Sequence, residues 1–171
     1  IVLPTFNSGY QYTINETESN GIYTVELFSD DDFTSCSFDG KSELLTVEYL
    51  NVTNNVTTMT YMFRNCSSLT QLYVSNWDTS KVTDMYNIFH TCSKLTQLDV
   101  SNFDTSNVTR FGFMFHNCSQ LTQLDVSNWD TSNATSMTYM FNGCSQLTQL
   151  DVSNFDTSKV KDMSYMFQNC S

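Results

Sequence analysis

Cys66, Cys92, Cys118, Cys144 and Cys170 are spaced 26 residues apart, and Leu69, Leu95, Leu121 and Leu147 keep the same step. A fixed period of this length is the mark of stacked supersecondary units, each of which has an apolar face that only its neighbours can cover. A full unit, as at 69 to 92, reads L-x-x-L-x-V-S-N-[WF]-D-T-S-x-V-x-x-M-x-x-M-F-x-x-C with small departures. About nine inward positions per unit exceed what one coil can bury alone, so stability must come from the stack.

Two shorter periods lie inside the unit. Leu72-Tyr73-Val74 alternates in and out, as do Leu98-Asp99-Val100, Leu124-Asp125-Val126 and Leu150-Asp151-Val152, so each coil is expected to contribute one parallel strand, over 97–101, 123–127 and 149–153 in the later coils. Asn76-Trp77-Asp78-Thr79-Ser80 can bend the chain and cap a helix. Val82, Met85, Phe89 and Cys92 then fall at steps of three and four, which predicts a short helix or 3₁₀ turn packed on the sheet. The expected core includes Leu95, Leu98, Val100, Val108, Phe115 and Cys118.

The first coil is degenerate. Phe33-Thr34-Ser35-Cys36-Ser37 aligns with Phe63-Arg64-Asn65-Cys66-Ser67, and Leu45-Thr46-Val47 with Leu72-Tyr73-Val74. Upstream, Tyr10, Tyr12 and Ile14 alternate, as do Tyr23, Val25 and Leu27, with Asn20-Gly21 as a turn signal between them. The expectation is a repeat solenoid of leucine-rich-repeat type over 33–171, with residues 1–32 forming an N-terminal segment and β-hairpin cap.

The string M-F-x-x-C-S-x-L-T-x-L-D-V-S-N-F-D-T-S-x-V-x-x-M recurs four times over roughly residues 56 to 171, and it resembles the BspA-like leucine-rich repeat proteins, the DUF285 repeat family. That resemblance implies a secreted or surface protein of bacteria, mycoplasmas or microbial eukaryotes, with adhesion as the expected role. The chain departs from ordinary leucine-rich repeats by carrying Trp77, Phe103, Trp129 and Phe155 where those have the Asn of the turn.

Seven Lys and Arg against eighteen Asp and Glu give a net charge of -11, which argues against a phosphate-binding surface and so against nucleic acid. No window approaches the ~18 consecutive apolar residues of a membrane span. A chain that opens on Ile1 without a start Met or signal peptide is expected to be soluble and a mature or partial product. There is no G-x-S-x-G, phosphate-binding Gly loop or H-E-x-x-H. His90 and His116 share a repeat position with Arg64, Asn142 and Gln168, a set alike in polarity alone. The expectation is a non-enzymatic protein that needs no cofactor.

Several columns allow two readings. Five of the six cysteines stack at a distance a disulfide could span; the alternatives are a ladder of buried thiols and at least one bridge, Cys36 with Cys66. Asp99, Asp125 and Asp151 form an outward acidic column, either solvated or binding Ca²⁺. Asp78, Asp104, Asp130 and Asp156 read as Asx bends. Eight N-x-[ST] sequons occur, at Asn15, Asn51, Asn55, Asn65, Asn107, Asn117, Asn133 and Asn169. The glycosylation candidates are Asn15, Asn51, Asn55, Asn107 and Asn133; Asn65, Asn117 and Asn169 suit C-terminal caps instead.

Two roles follow: an extracellular structural or adhesive scaffold that meets protein or glycan ligands, and a subunit that stacks head-to-tail on copies of itself. The second is motivated by the C-terminal coil, Leu147 to Phe167, and by the apolar Ile1-Val2-Leu3-Pro4 segment that could reach a neighbour. The alternative is a monomeric ligand-binding module that is a fragment of a longer surface protein, with further chain covering that coil.

Overall fold

The computed structural model describes residues 13–15, 22–26, 37–42, 44–47, 52 and 55–170. It begins with an antiparallel pair, β1 (Thr13–Asn15) and β2 (Ile22–Glu26), in which Ile14 faces Val25. Strand β2 also pairs in parallel with β3 (Thr46–Val47), and β3 with β4 (Gln71–Leu72), so the pair extends the edge of the solenoid sheet.

From there the chain winds as stacked coils around one core. Leu69, Leu95 and Leu121 are buried, as are Val82 and Val108 and the cysteines at 66, 92, 118 and 144. All six expected core residues, from Leu95 to Cys118, are enclosed. A column of parallel rings runs through the stack: Phe38, Phe63, Phe89, Phe115, Phe141 and Phe167, with centroids 5.0 to 6.1 Å apart. Trp77, Phe103 and Trp129 form a second buried column with centroids 5.9 and 6.4 Å apart. The aromatic that replaces the usual turn Asn therefore points inward.

The strands are shorter than the alternation suggests. Beyond β4 the sheet face holds one parallel bridge, Gln97 with Gln123, and 149–153 forms no strand. The 26-residue register is nevertheless the one expected. A second line of single-residue parallel bridges runs through 58, 84, 110, 136 and 162 on another side of the coil.

The segment read as helical is a ladder of turns. Met59, Tyr61, Phe63 and Asn65 donate their N–H groups to the carbonyls of Asp84, Tyr86, Ile88 and His90 in the next coil. Met62, Arg64 and Cys66, which alternate with them, donate back three residues within their own coil. An α-helix would spend every amide on its own i−4 carbonyl; here half are spent between coils. The geometry needs residues in the left-handed region, and it places Tyr61, Asn87, Phe113, Tyr139 and Tyr165 there in one column. Asn65, Thr91, Asn117, Gly143 and Asn169 form a second such column.

The first coil also differs from the alignment by sequence. Val47 pairs with Leu72, and Phe38 stacks on Phe63 at 5.0 Å while its N–H reaches the Met62 carbonyl. Phe38 thus fills the column assigned to Phe33, and Lys41 takes the backbone position of the repeat cysteine, bonding to the Phe38 carbonyl as Cys66 bonds to that of Phe63. The first step is 25 residues, set by burial of the Phe38 ring against Phe63 rather than by the Phe-x-x-Cys spelling at 33–36.

Candidate functional site

Most polar side chains along the turn edge are committed to the stack. Thr79, Thr105 and Thr131 are buried, and their hydroxyls donate to the carbonyls of Asp104, Asp130 and Asp156, one coil on, at 2.9 to 3.1 Å. The amides of Asn102 and Asn154 donate to carbonyls of the preceding coil, and the Trp129 indole donates to Val100 O at 3.2 Å. Arg64 forms a two-pronged pair with Asp39, and Arg110 Nη1 lies 2.7 Å from Asp84 Oδ2. Each guanidinium also covers a tyrosine ring, Tyr61 or Tyr86.

Both acidic columns serve local turns. In the turn, Asp78, Asp104, Asp130 and Asp156 accept the N–H of the serine two residues on, through Oδ1. Asp99, Asp125 and Asp151, the Ca²⁺ candidates, do the same with Ser101, Ser127 and Ser153. The hydroxyls of Ser101, Ser127 and Ser153, and after them these N–H groups, hold all three carboxyls below the usual carboxylate range, against weaker repulsion at Asp99 from Asp125 and at Asp125 from Asp151. No group of three or more His, Cys, Asp or Glu is placed to hold a metal among the described residues. Each carboxyl is thus already engaged through Oδ1 in its own coil.

The thiols form a ladder of their own. Cys92, Cys118, Cys144 and Cys170 each donate S–H to a Phe carbonyl of the coil before, at 3.1 Å, and Cys66 donates to Phe38 O at 3.2 Å. Burial pushes the thiols of Cys92, Cys118, Cys144 and Cys170 up, Cys144 to about 12, so they are poor nucleophiles. Cys36, the other half of the proposed disulfide, lies outside the described residues, as does Asn51.

Of the other sequons, Asn15 ends β1, and Asn55 lies in a turn and is half-buried. Asn107 and Asn133 are exposed, yet each amide donates to a serine carbonyl of the preceding coil, at 2.8 and 2.9 Å. Asn65, Asn117 and Asn169 close turns at positive φ, which a helix end would also require. His90 and His116 stack on one another at 4.7 Å against Phe113 and Tyr139. Burial lowers both, His90 to about 4, where the His116 and Arg64 charges add to the effect.

The sheet face is less committed. Gln71, Gln97 and Gln123 are exposed, as are Thr70, Thr96 and Thr122, although the Thr70 and Thr122 hydroxyls donate to Leu45 O and Thr96 O of the preceding coil. Among the described residues no backbone bond joins 69–74 to 95–100, although Thr70 N–H reaches Leu45 O and Thr122 N–H reaches Thr96 O. A furrow of about 400 Å³ opens there, lined by Thr70, Gln71, Tyr73, Thr96, Gln97 and Asp99. A second hollow of about 220 Å³ continues it to Gln123 and Asp125. Tyr73, at the position held by Asp in the next three coils, is 52% exposed. The sequence shows Tyr73 as a break in the column, but not the furrow beside it.

Coils in 26-residue register, a buried leucine column and a short parallel sheet define a repeat solenoid of leucine-rich type. The family model described as "Mycoplasma protein of unknown function, DUF285" matches residues 33–124 and 99–171. The chain belongs to that family, as its resemblance to the BspA-like repeats implies. No curated protein matches it. Among solved structures, a leucine-rich repeat protein from Bacteroides ovatus is similar over 83% of this chain and 45% of its own, at 16% identity and a TM-score of 0.41. The chain therefore spans less than half the length of that protein. No helix among the described residues is long and apolar enough to cross a membrane.

Proposed function

We propose that the chain is a non-enzymatic scaffold of the cell surface or extracellular space, structural or adhesive, that meets its ligands through the sheet face. The observation that carries this reading is a division of labour. Polar groups on the turn edge are largely bonded into the stack, whereas the Gln column of the sheet face is exposed and repeats coil after coil. Such a surface suits multivalent contact with extended protein or glycan. The test is adhesion of beads coated with the full chain to extracellular-matrix layers. Attachment should fall in Gln97→Lys/Gln123→Lys with an unchanged melting temperature; equal attachment by the variant would refute the assignment of this face.

A second reading, self-association, is favoured by the coil at 163–170, where Met163, Tyr165 and Phe167 are 44%, 56% and 47% exposed. In every earlier coil of the turn ladder the matching amides donate to a following coil. Further chain or a second copy would supply such a coil, and sedimentation of residues 1–171 across a concentration series would reveal the second. The N-terminal connector of that reading, Ile1 to Pro4, lies outside the described residues.

A further inference from the structure

We propose that the furrow running from Tyr73 to Asp125 is a docking groove for an extended segment of a partner protein that bears lysine or arginine. The inference rests on the reading of the sheet face as the contact surface, and it names the chemistry of what is held there.

The repeat departs from its own rule at this place. Where Asp99, Asp125 and Asp151 stand, a carboxylate caps the serine two residues on. Tyr73 cannot do so, and it presents a half-exposed ring to the furrow instead. The neighbouring strands make no backbone bond to one another here, as is also true of 121–126 and 147–152, and a hollow opens between them. The two hollows share Gln97, Leu98 and Asp99, and together they cross three coils, roughly 10 Å at the spacing of parallel strands.

Charge selects the occupant. Asp99 and Asp125 line the furrow, and no Lys or Arg does. Each Asp uses Oδ1 for its serine, and Oδ2 makes no hydrogen bond within the described residues. Neighbouring carboxylates repel one another, and a cation laid between them relieves that repulsion. A chain of net charge -11 draws basic partners from a distance as well. The face of Tyr73 offers a cation a second favourable contact. Gln71, Gln97 and Gln123 supply amides, which both donate and accept and so match a peptide backbone. A phosphate or other anion would meet the negative charge of Asp99 and Asp125 with no Lys or Arg in the lining to offset it.

The test uses the full chain and a fluorescently labelled peptide of about twelve alternating lysine and serine residues, read by anisotropy. Binding should saturate, weaken as salt is raised, and fall about tenfold or more in Asp99→Asn/Asp125→Asn. Asparagine keeps an oxygen acceptor for the serine caps, so the turns are retained. Asp104→Asn/Asp130→Asn removes the same charge from the turn edge and should leave binding within about twofold, while Tyr73→Ser should weaken it about three- to tenfold. Equal weakening by both aspartate pairs would mean diffuse attraction and would overturn the groove. If a neutral oligosaccharide or a glutamate-serine peptide binds in a Tyr73-dependent way and the lysine peptide does not, the contact-face reading stands and the basic-segment inference falls. If no probe binds and Gln97→Lys/Gln123→Lys leaves bead attachment intact, both fall.

Discussion

Replacing Phe115 by alanine should destabilise the solenoid by about 3–5 kcal/mol, the range for a buried phenylalanine, whereas the same change at Phe167 should cost about half as much or less. Phe115 is fully buried between Phe89 at 5.5 Å and Phe141 at 5.7 Å, with Trp129 at 6.3 Å. Each ring pair adds about 0.5–1.5 kcal/mol to the transfer of the side chain out of water, and the coils above and below prevent the cavity from closing. Phe167 has one ring neighbour, Phe141 at 5.7 Å, and is 47% exposed. Roughly half of a full burial energy of about 1.5–3 kcal/mol is at stake there, with no enclosed cavity. Urea titration followed by tryptophan fluorescence measures both, and Trp129 reports directly on the Phe115 coil. A loss below about 1 kcal/mol for Phe115→Ala would refute the ring column as core. Equal losses at the two sites in dilute protein would show that something covers the coil at 163–170 in solution.

Three further outcomes follow from the side-chain ladders. His90 and His116 have folded-state values below the ordinary ~6.5, so the unfolded chain binds more protons and stability should fall as pH drops from about 6.5 towards 4. His90→Asn/His116→Gln should flatten melting temperature across that window, since Asn142 and Gln168 already pair in the same column at 3.0 Å. Millimolar Ca²⁺ should barely move the melting temperature; a saturating rise that vanishes in Asp125→Asn would contradict the account of that column as turn caps. Thr105→Val removes the donor held 2.9 Å from Asp130 O without changing shape and should cost about 1–3 kcal/mol by thermal or urea denaturation.

How much was legible depended on whether a residue's task was local to its own coil. The 26-residue register and the burial of Leu95, Val108, Phe115 and Cys118 followed from period alone, because every inward column must stack. The turn acids Asp78, Asp104, Asp130 and Asp156 were readable as Asx bends for the same reason: the partner lies two residues away. Tasks shared between coils were not readable. Nothing in the spelling W-D-T-S shows that Trp77 turns inward while the Thr79 hydroxyl reaches the Asp104 carbonyl. The furrow lies between strands that make no backbone bond to one another, a relation of two coils that no single repeat encodes.

The turn ladder explains why helical spacing produced no helix. Val82, Met85, Phe89 and Cys92 need only lie on one inward side, and steps of three and four achieve that in a helix or in consecutive turns. The backbone decides between them. A helix satisfies its amides alone and leaves adjacent coils joined through side chains, whereas alternate turns send Met85, Asn87, Phe89 and Thr91 amides into the next coil. The left-handed residues this requires cost roughly 1–2 kcal/mol each where they carry a bulky side chain such as Phe113 or Tyr139. That cost is offset only when a neighbouring coil accepts the bond, so the local conformation and the stack stabilise one another. A single repeat excised from the chain should lose the turn conformation as well as its packing, and the left-handed column should form only in fragments with several coils.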